Sequence, residues 1–373
     1  MYLYYIFYVL FYKTHFLMET NAINDMRTDF KNVTFSKFQK CKAKQELISC
    51  IYNCKIENAN YWAAEFICAG HYLDLWDILV LYATKYIHSG NPKLPIYINM
   101  RYDNFVSIVR GGYSSNIIIL RNNNKIRKLF AEIVCILCYS NKKHIYQHVK
   151  LNKQEEFDLT SISNKFKAPN INYANDIFKD DDPKELFIPI NELLYNLTIK
   201  NIIECCYWYE WILEYENRCK KKKKKCICQA RTYAPNGNHN DIIWIIWDAI
   251  FLYADPKNKK IILNNNNTNS KKIINKIINS LYSLFTIKYK PTFKNKRKYI
   301  IYFAFSLLID NIDLNINITE HNDKINAIIE KIDSIYKDIK KNEVSTNTDY
   351  LFTNLKKSNM EKTIEKIEMI NNM

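Results

Sequence analysis

Polar and apolar positions along this chain alternate with a period near 3.6, segment after segment. Residues 42–56, KAKQELISCIYNCKI, place Leu47, Ile48, Ile51 and Tyr52 on one helical face. NANYWAAEFICAG predicts a second helix, with Asn58 as its cap and Gly70 as a left-handed stop. HYLDLWDILVLYATKYIHSGNP then runs to Gly90 and Pro92. LPIYINMRYDNFVSIVRGG gives a helix with proline in its first turn and Gly111-Gly112 at its end. Residues 123–140 form a strong amphipathic stripe, whereas Ile117 to Ile119 fit a short strand as well as a helix entry. Further helices are predicted through Trp208, through Trp244 and over 271–290. RKYIIYFAFSLLID is apolar enough to be a central core helix and too short to span a membrane. Ile325, Ile328, Ile332, Ile335 and Ile339 close the series on a heptad spacing, read as an amphipathic helix. The fold class expected is all-α: an irregular array of about ten amphipathic helices, with at most one short strand pair.

Breaks in this pattern divide the chain. Residues 1–17 are an apolar leader, shorter than the roughly 20 residues of a membrane span. The leader lacks a basic n-region and a small-residue cleavage site. Met18 opens a polar stretch and is the expected true start. An N-terminal helical part then covers 18–140, an irregular linker or surface excursion 141–182, a C-terminal helical part 183–310, and an amphipathic helix with a mobile tail 311–373. The asparagine-rich run 264–270 is a low-complexity loop.

Composition removes several function classes. Gly70, Gly90, Gly111, Gly112 and Gly237 are all the glycines in 373 residues. No Gly-Lys-Ser/Thr phosphate loop and no Gly-x-Gly dinucleotide turn can be built from them. The eleven cysteines, an odd number, do not form a disulfide scaffold in a chain of this length. Cys68, Cys135 and Cys138 lie in apolar helical patterns as small buried hydrophobes. The compartment expected is a reducing cytoplasm, with the nucleus as the alternative. Asn, Lys, Ile, Tyr and Phe are in excess, all served by AT-rich codons. Part of the +16 charge is therefore codon bias, but a charge of that size favours acidic partners.

Three constellations could carry chemistry. Cys219, Cys226, Cys228 and His239 supply zinc-type donors, but the single residue between Cys226 and Cys228 is the wrong spacing for a tight metal turn. Zinc is accordingly disfavoured, and no cofactor is expected. Glu210 and Glu214 share one helical face and Asp241 and Asp248 another. If those helices pair, four carboxylates could hold Mg²⁺ for phosphoryl transfer; the plain alternative is two wet helix faces. Basic residues cluster at Arg218, Lys220, Lys221, Lys222, Lys223, Lys224, Lys225 and Arg231; at Lys294, Lys296, Arg297 and Lys298; and at Arg121, Lys125, Arg127 and Lys128. Lysines neutralise phosphates and nearby rings stack bases, so these clusters suit nucleic-acid binding without sequence preference. The first two clusters, without Arg231, are the expected contact residues. The lysine run also reads as a weak nuclear-localisation motif. The segment from Trp208 to Cys228 is expected to be an aromatic-faced helix, packed on the Trp244–Trp247 helix, followed by an exposed basic loop.

Five blocks, WAAEFICAGHYLDLWDILVLYATKYIHSGNPKLPIYINMR, NNKIRKLFAEIVCILCYSNKKH, DDPKELFIPINELLY, CYWYEWILEYE and DIIWIIWDAI, resemble those of an uncharacterised protein family of large nucleocytoplasmic DNA viruses. The resemblance covers about residues 20–310. It implies a cytoplasmic viral setting and brings no catalytic residues, since that family has no established activity. The function expected is a non-enzymatic helical accessory protein binding nucleic acid, or a complex that handles it, in viral replication or transcription. The alternatives are a structural or protein–protein interaction subunit and a metal-dependent phosphoryl-transfer enzyme. A protein partner is expected and a membrane is not.

Overall fold

A computed structural model describes residues 22–113, 117–144, 149, 151–152, 157, 162–255, 257 and 268–344. The leader, most of the asparagine-rich loop and the tail beyond 344 lie outside these residues. Among the described residues every named element is helical, and the one extended pairing is an isolated antiparallel bridge between Val33 and Gln39. The all-α reading therefore stands.

The N-terminal part comprises α1 (Lys40–Tyr52), α2 (Ile56–Cys68), α3 (Tyr72–Tyr82), α4 (Leu94–Ile108), α5 (Ile117–Asn122) and α6 (Asn124–Tyr139). Gly70 does adopt φ +74°, and its N–H and that of His71 close back on Ile67 and Phe66 carbonyls, so α2 ends as the glycine predicted. Asn58 does not cap α2. The helix starts at Ile56, and Asn58 lies within it. The ambiguous stretch 117–122 is helical. Asn123 caps α6, its side chain accepting from the Ile126 N–H at 3.2 Å.

Gly90 acts differently from Gly70. Beyond α3 the chain tightens through a π turn, Ala83–Ile87, and a 3₁₀ turn, His88–Gly90. The left-handed residue there is His88, at φ 47° and ψ −125°. Its imidazole is buried against Phe303, ring centroids 4.5 Å apart, and burial lowers its pKa to about 3. Desolvation governs this histidine, with the nearby Lys143 charge acting in the same direction. A Cβ added at Gly90 would sit 2.3 Å from the backbone oxygen of Asn141. Gly90→Ala should therefore destabilise the fold by about 1–3 kcal/mol through overpacking. The measurement is the urea midpoint, and an unchanged midpoint would mean the turn gives way freely.

The C-terminal part comprises α7 (Phe187–Thr198), α8 (Ile202–Lys221), α9 (Ile243–Ala254), α10 (Thr268–Thr286), α11 (Lys298–Ile309), α12 (Asn322–Glu330) and α13 (Ile332–Lys340). From Ile300 to Ile309 every residue of α11 is buried, and this helix meets α8, α9, α10 and the π turn after α3. It is the central helix its composition predicted. Helix α8 lies mainly against α7 and α11, so the expected pairing with the Trp244 helix is replaced. Helix α9 instead packs on α10 and α11.

One continuous hydrophobic cluster runs from Ile23 to Ile339 and joins the two helical parts. The described residues 166–182 of the segment before α7 are tied down by side chains of α7. Asn191 accepts from the N–H groups of Tyr173 and Ala174, and Glu192 accepts from those of Lys167 and Ala168. The heptad isoleucines also bury. Ile325, Ile332 and Ile339 face inward from α12 and α13, which break at Lys331 and cover α6 and α2. The far end of this seam meets the beginning of the described chain: Asn342 donates to Ser36, and the Val344 N–H donates to Asp25.

Candidate functional site

Helix α8 carries the lysine run at its C-terminal end. Asn201 caps its start, and Arg218, Lys220 and Lys221 occupy its last turn, where cations complement the helix dipole. The helix continues two residues past Cys219, then turns at Lys223, which adopts φ +56°. Lys220 to Lys225 are all exposed. Lys220 pairs with Glu216 at 2.8 Å, while Lys221, Lys222, Lys223, Lys224 and Lys225 make no ion pair among the described residues. Arg218 stands over the Phe157 ring, 3.9 Å from its centroid.

The second predicted cluster is largely turned inward. Lys294 is 3% exposed and holds Glu216 at 2.5 Å and Asp241 at 2.8 Å. Arg297 pairs with Asp77 at 2.8 Å and donates to the carbonyls of Phe285 and Ile287. Lys298 pairs with Glu210, which also accepts from the Tyr302 hydroxyl. Of the four, Lys296 alone is exposed, so Lys294, Arg297 and Lys298 are withdrawn as phosphate contacts. The physical reason is that each is held by a carboxylate of another element: Lys294 by buried Glu216 and Asp241, Lys298 by partly buried Glu210, and Arg297 by half-buried Asp77. The third cluster also loses its arginines to burial, here against carbonyls and a ring. Arg121 donates to the carbonyls of Asp25 and Arg27, and Arg127 lies over the Tyr336 ring at 3.9 Å.

Glu216 nevertheless joins two basic segments. Lys220 holds one of its oxygens and Lys294 the other. This places the lysine run beside the segment that precedes α11, where Lys288, Lys290 and Lys296 are exposed and make no ion pair among the described residues. Sequence reasoning missed Lys288 and Lys290 because they are isolated in an apolar context. The signal that could have found them is their alternation with buried Ile287 and Tyr289.

The four carboxylates proposed for Mg²⁺ do not converge. Glu210 is held by Lys298 and Tyr302, Glu214 neighbours Asn217, Asp241 is held by Lys294 and Tyr289, and Asp248 by Arg231 and Tyr233. Among the described residues no three His, Cys, Asp or Glu side chains are grouped to hold a metal ion. Within the zinc-type set, burial pushes the thiols of Cys226 and Cys228 up to about 12. The Cys228 thiol donates to the Asp241 carbonyl at 3.1 Å, and His239 Nδ1 contacts the Arg231 carbonyl at 3.1 Å.

Arg231, counted with the lysine run from the sequence, is 1% exposed. Its guanidinium grips Asp182 through two 2.7 Å bonds and Asp248 through a third. Burial opposes its charge, but the hydrogen bonds and charges of Asp182 and Asp248 prevail, and its pKa rises. Asp182 also accepts from the Lys179 and Gln229 N–H groups, which fixes the end of the segment before α7.

These features define a helical protein with a basic face and internally balanced carboxylates. No protein-family model, curated protein or solved structure matched the chain in comparison. No helix among the described residues is long and apolar enough to cross a membrane.

Proposed function

We propose that this chain is a nucleic-acid-binding accessory protein whose contact surface is the lysine run 220–225 together with Lys288, Lys290 and Lys296. The supporting observation is the shared Glu216 carboxylate, which holds two exposed basic segments side by side while its own charge is balanced within the fold. Exposed lysines on a protruding helix end neutralise phosphates as point charges and read no sequence. In this reading the protein holds nucleic acid without acting on it. The setting in viral replication or transcription rests on the sequence resemblance alone.

The test is fluorescence anisotropy with a mixed-sequence oligonucleotide across a salt series. Changing Lys221, Lys222, Lys223, Lys224 and Lys225 to Ser should leave the thermal transition in place. It should flatten the slope of log K against log salt by roughly 0.7–0.9 for each phosphate no longer neutralised, about 3.5–4.5 if all five lysines contact phosphate. An oligonucleotide left unbound by the unmodified chain at about 50 mM salt would refute the reading, and so would a slope indifferent to the five changes. A pull-down that recovers a partner protein without nucleic acid would favour the interaction-subunit reading instead.

A further inference from the structure

A cavity of about 390 Å³ opens between α1, α3 and the start of α11. Phe66, Ile78, Leu81 and Ile300 make it apolar inside. Its rim is charged and unbalanced: Lys40, Lys44, Lys296 and Arg297 stand against Asp74 and Asp77. Lys40 is paired with Asp74 at 2.9 Å and Arg297 with Asp77 at 2.8 Å. Lys44 and Lys296 are exposed and carry no ion pair among the described residues. They come from two different elements that line the opening, one from α1 and one from the segment before α11. Tyr299, half-buried in the wall, has the Lys85 ammonium 5.0 Å from its ring centroid.

We propose that this cavity takes one nucleotide unit, a planar heteroaromatic base with its phosphate. The size is that of ordinary small-ligand sites, for which about 300 Å³ is the lower bound. A bare phosphate would leave the apolar interior unused, and a neutral apolar molecule would leave the two rim ammonium groups unused. A nucleotide satisfies both ends. Its base lies against Leu81, Ile300 and the Tyr299 ring, and its phosphate bridges Lys44 and Lys296. The carboxylate of Asp74, 48% exposed beside Lys40, is an acceptor for an exocyclic amino group. The nucleotide can be free or part of a strand, and the cavity chemistry is the same. The proposal does not depend on the lysine run, and the two surfaces have only Lys296 in common.

Isothermal titration of the full chain with AMP, adenosine, inorganic phosphate and single-stranded oligo(dA) tests it. AMP should bind, adenosine more weakly, and inorganic phosphate without detectable heat. Lys44→Ser with Lys296→Ser should weaken AMP about tenfold, the effect of removing two modest charge interactions. Leu81→Trp, at a half-buried position, should fill the cavity and abolish AMP binding while circular dichroism stays unchanged. The serine changes at 221–225 should leave AMP binding untouched. If Leu81→Trp also weakens oligo(dA), the unit belongs to a strand; if oligo(dA) is indifferent to it, the ligand is a free nucleotide. AMP failing to bind, phosphate binding as tightly as AMP, or AMP binding unmoved by both cavity variants would each overturn the proposal. Oligonucleotide binding without AMP binding would overturn it and leave the lysine-run reading standing.

Discussion

Lys294→Met is expected to destabilise the protein by about 3–5 kcal/mol, although it removes one cation from a chain of net charge +16. By the usual argument, lowering that charge relieves repulsion and is harmless. The geometry predicts the opposite sign. The Lys294 ammonium lies between Glu216 and Asp241, and all three side chains are at most 7% exposed. Taking away the cation leaves two carboxylates facing each other out of water, with Lys220 compensating only the outer oxygen of Glu216. Urea denaturation reads the loss. Adding Glu216→Gln and Asp241→Asn to Lys294→Met should restore a large part of it, because the stranded charges go with the cation. A single-variant loss below about 1 kcal/mol, the range of an exposed pair, would show that water reaches the cluster.

Arg231 carries the second large effect. Arg231→Lys keeps the charge yet should cost about 2–4 kcal/mol, close to the loss for breaking a buried pair outright. An ammonium cannot reproduce the planar fork that spans Asp182 and Asp248 while donating to the Gln229 and Ile177 carbonyls. Because Asp182 anchors the segment before α7, limited proteolysis should cut that segment first in the variant. Equal protease resistance in the variant and the parent would refute the anchoring role.

These two residues also show where sequence reading stops. Gly70, the buried cysteines of α6 and the core character of α11 were legible because each depends on local spacing or on a run of apolar residues. The ion pairs were not. Lys294 finds Glu216 across 78 positions and Arg231 finds Asp182 across 49. A lysine written beside other lysines looks the same whether it faces water or a buried acid. Residues in the 220–225 run remained exposed at and just past the end of α8, where only Lys220 meets a carboxylate among the described residues. The same cause misassigned the carboxylates: Glu210, Asp241 and Asp248 were visible as a set of acids, but their cationic partners lay on distant elements. The cap of α2 failed for a smaller reason, since Asn58 is a good cap in isolation and the chain enters the helix two residues earlier, at Ile56.

The seam between Asp25 and Val344, closed across 319 positions, has a consequence for how the chain is made. Helix α13 packs on α2 and buries Ile332, Tyr336 and Ile339. While the ribosome is still producing α7 to α11, that face of the N-terminal helices has nothing to cover it. The first half of the protein therefore waits for α13 before that face of its core closes, a long-range contact that slows folding.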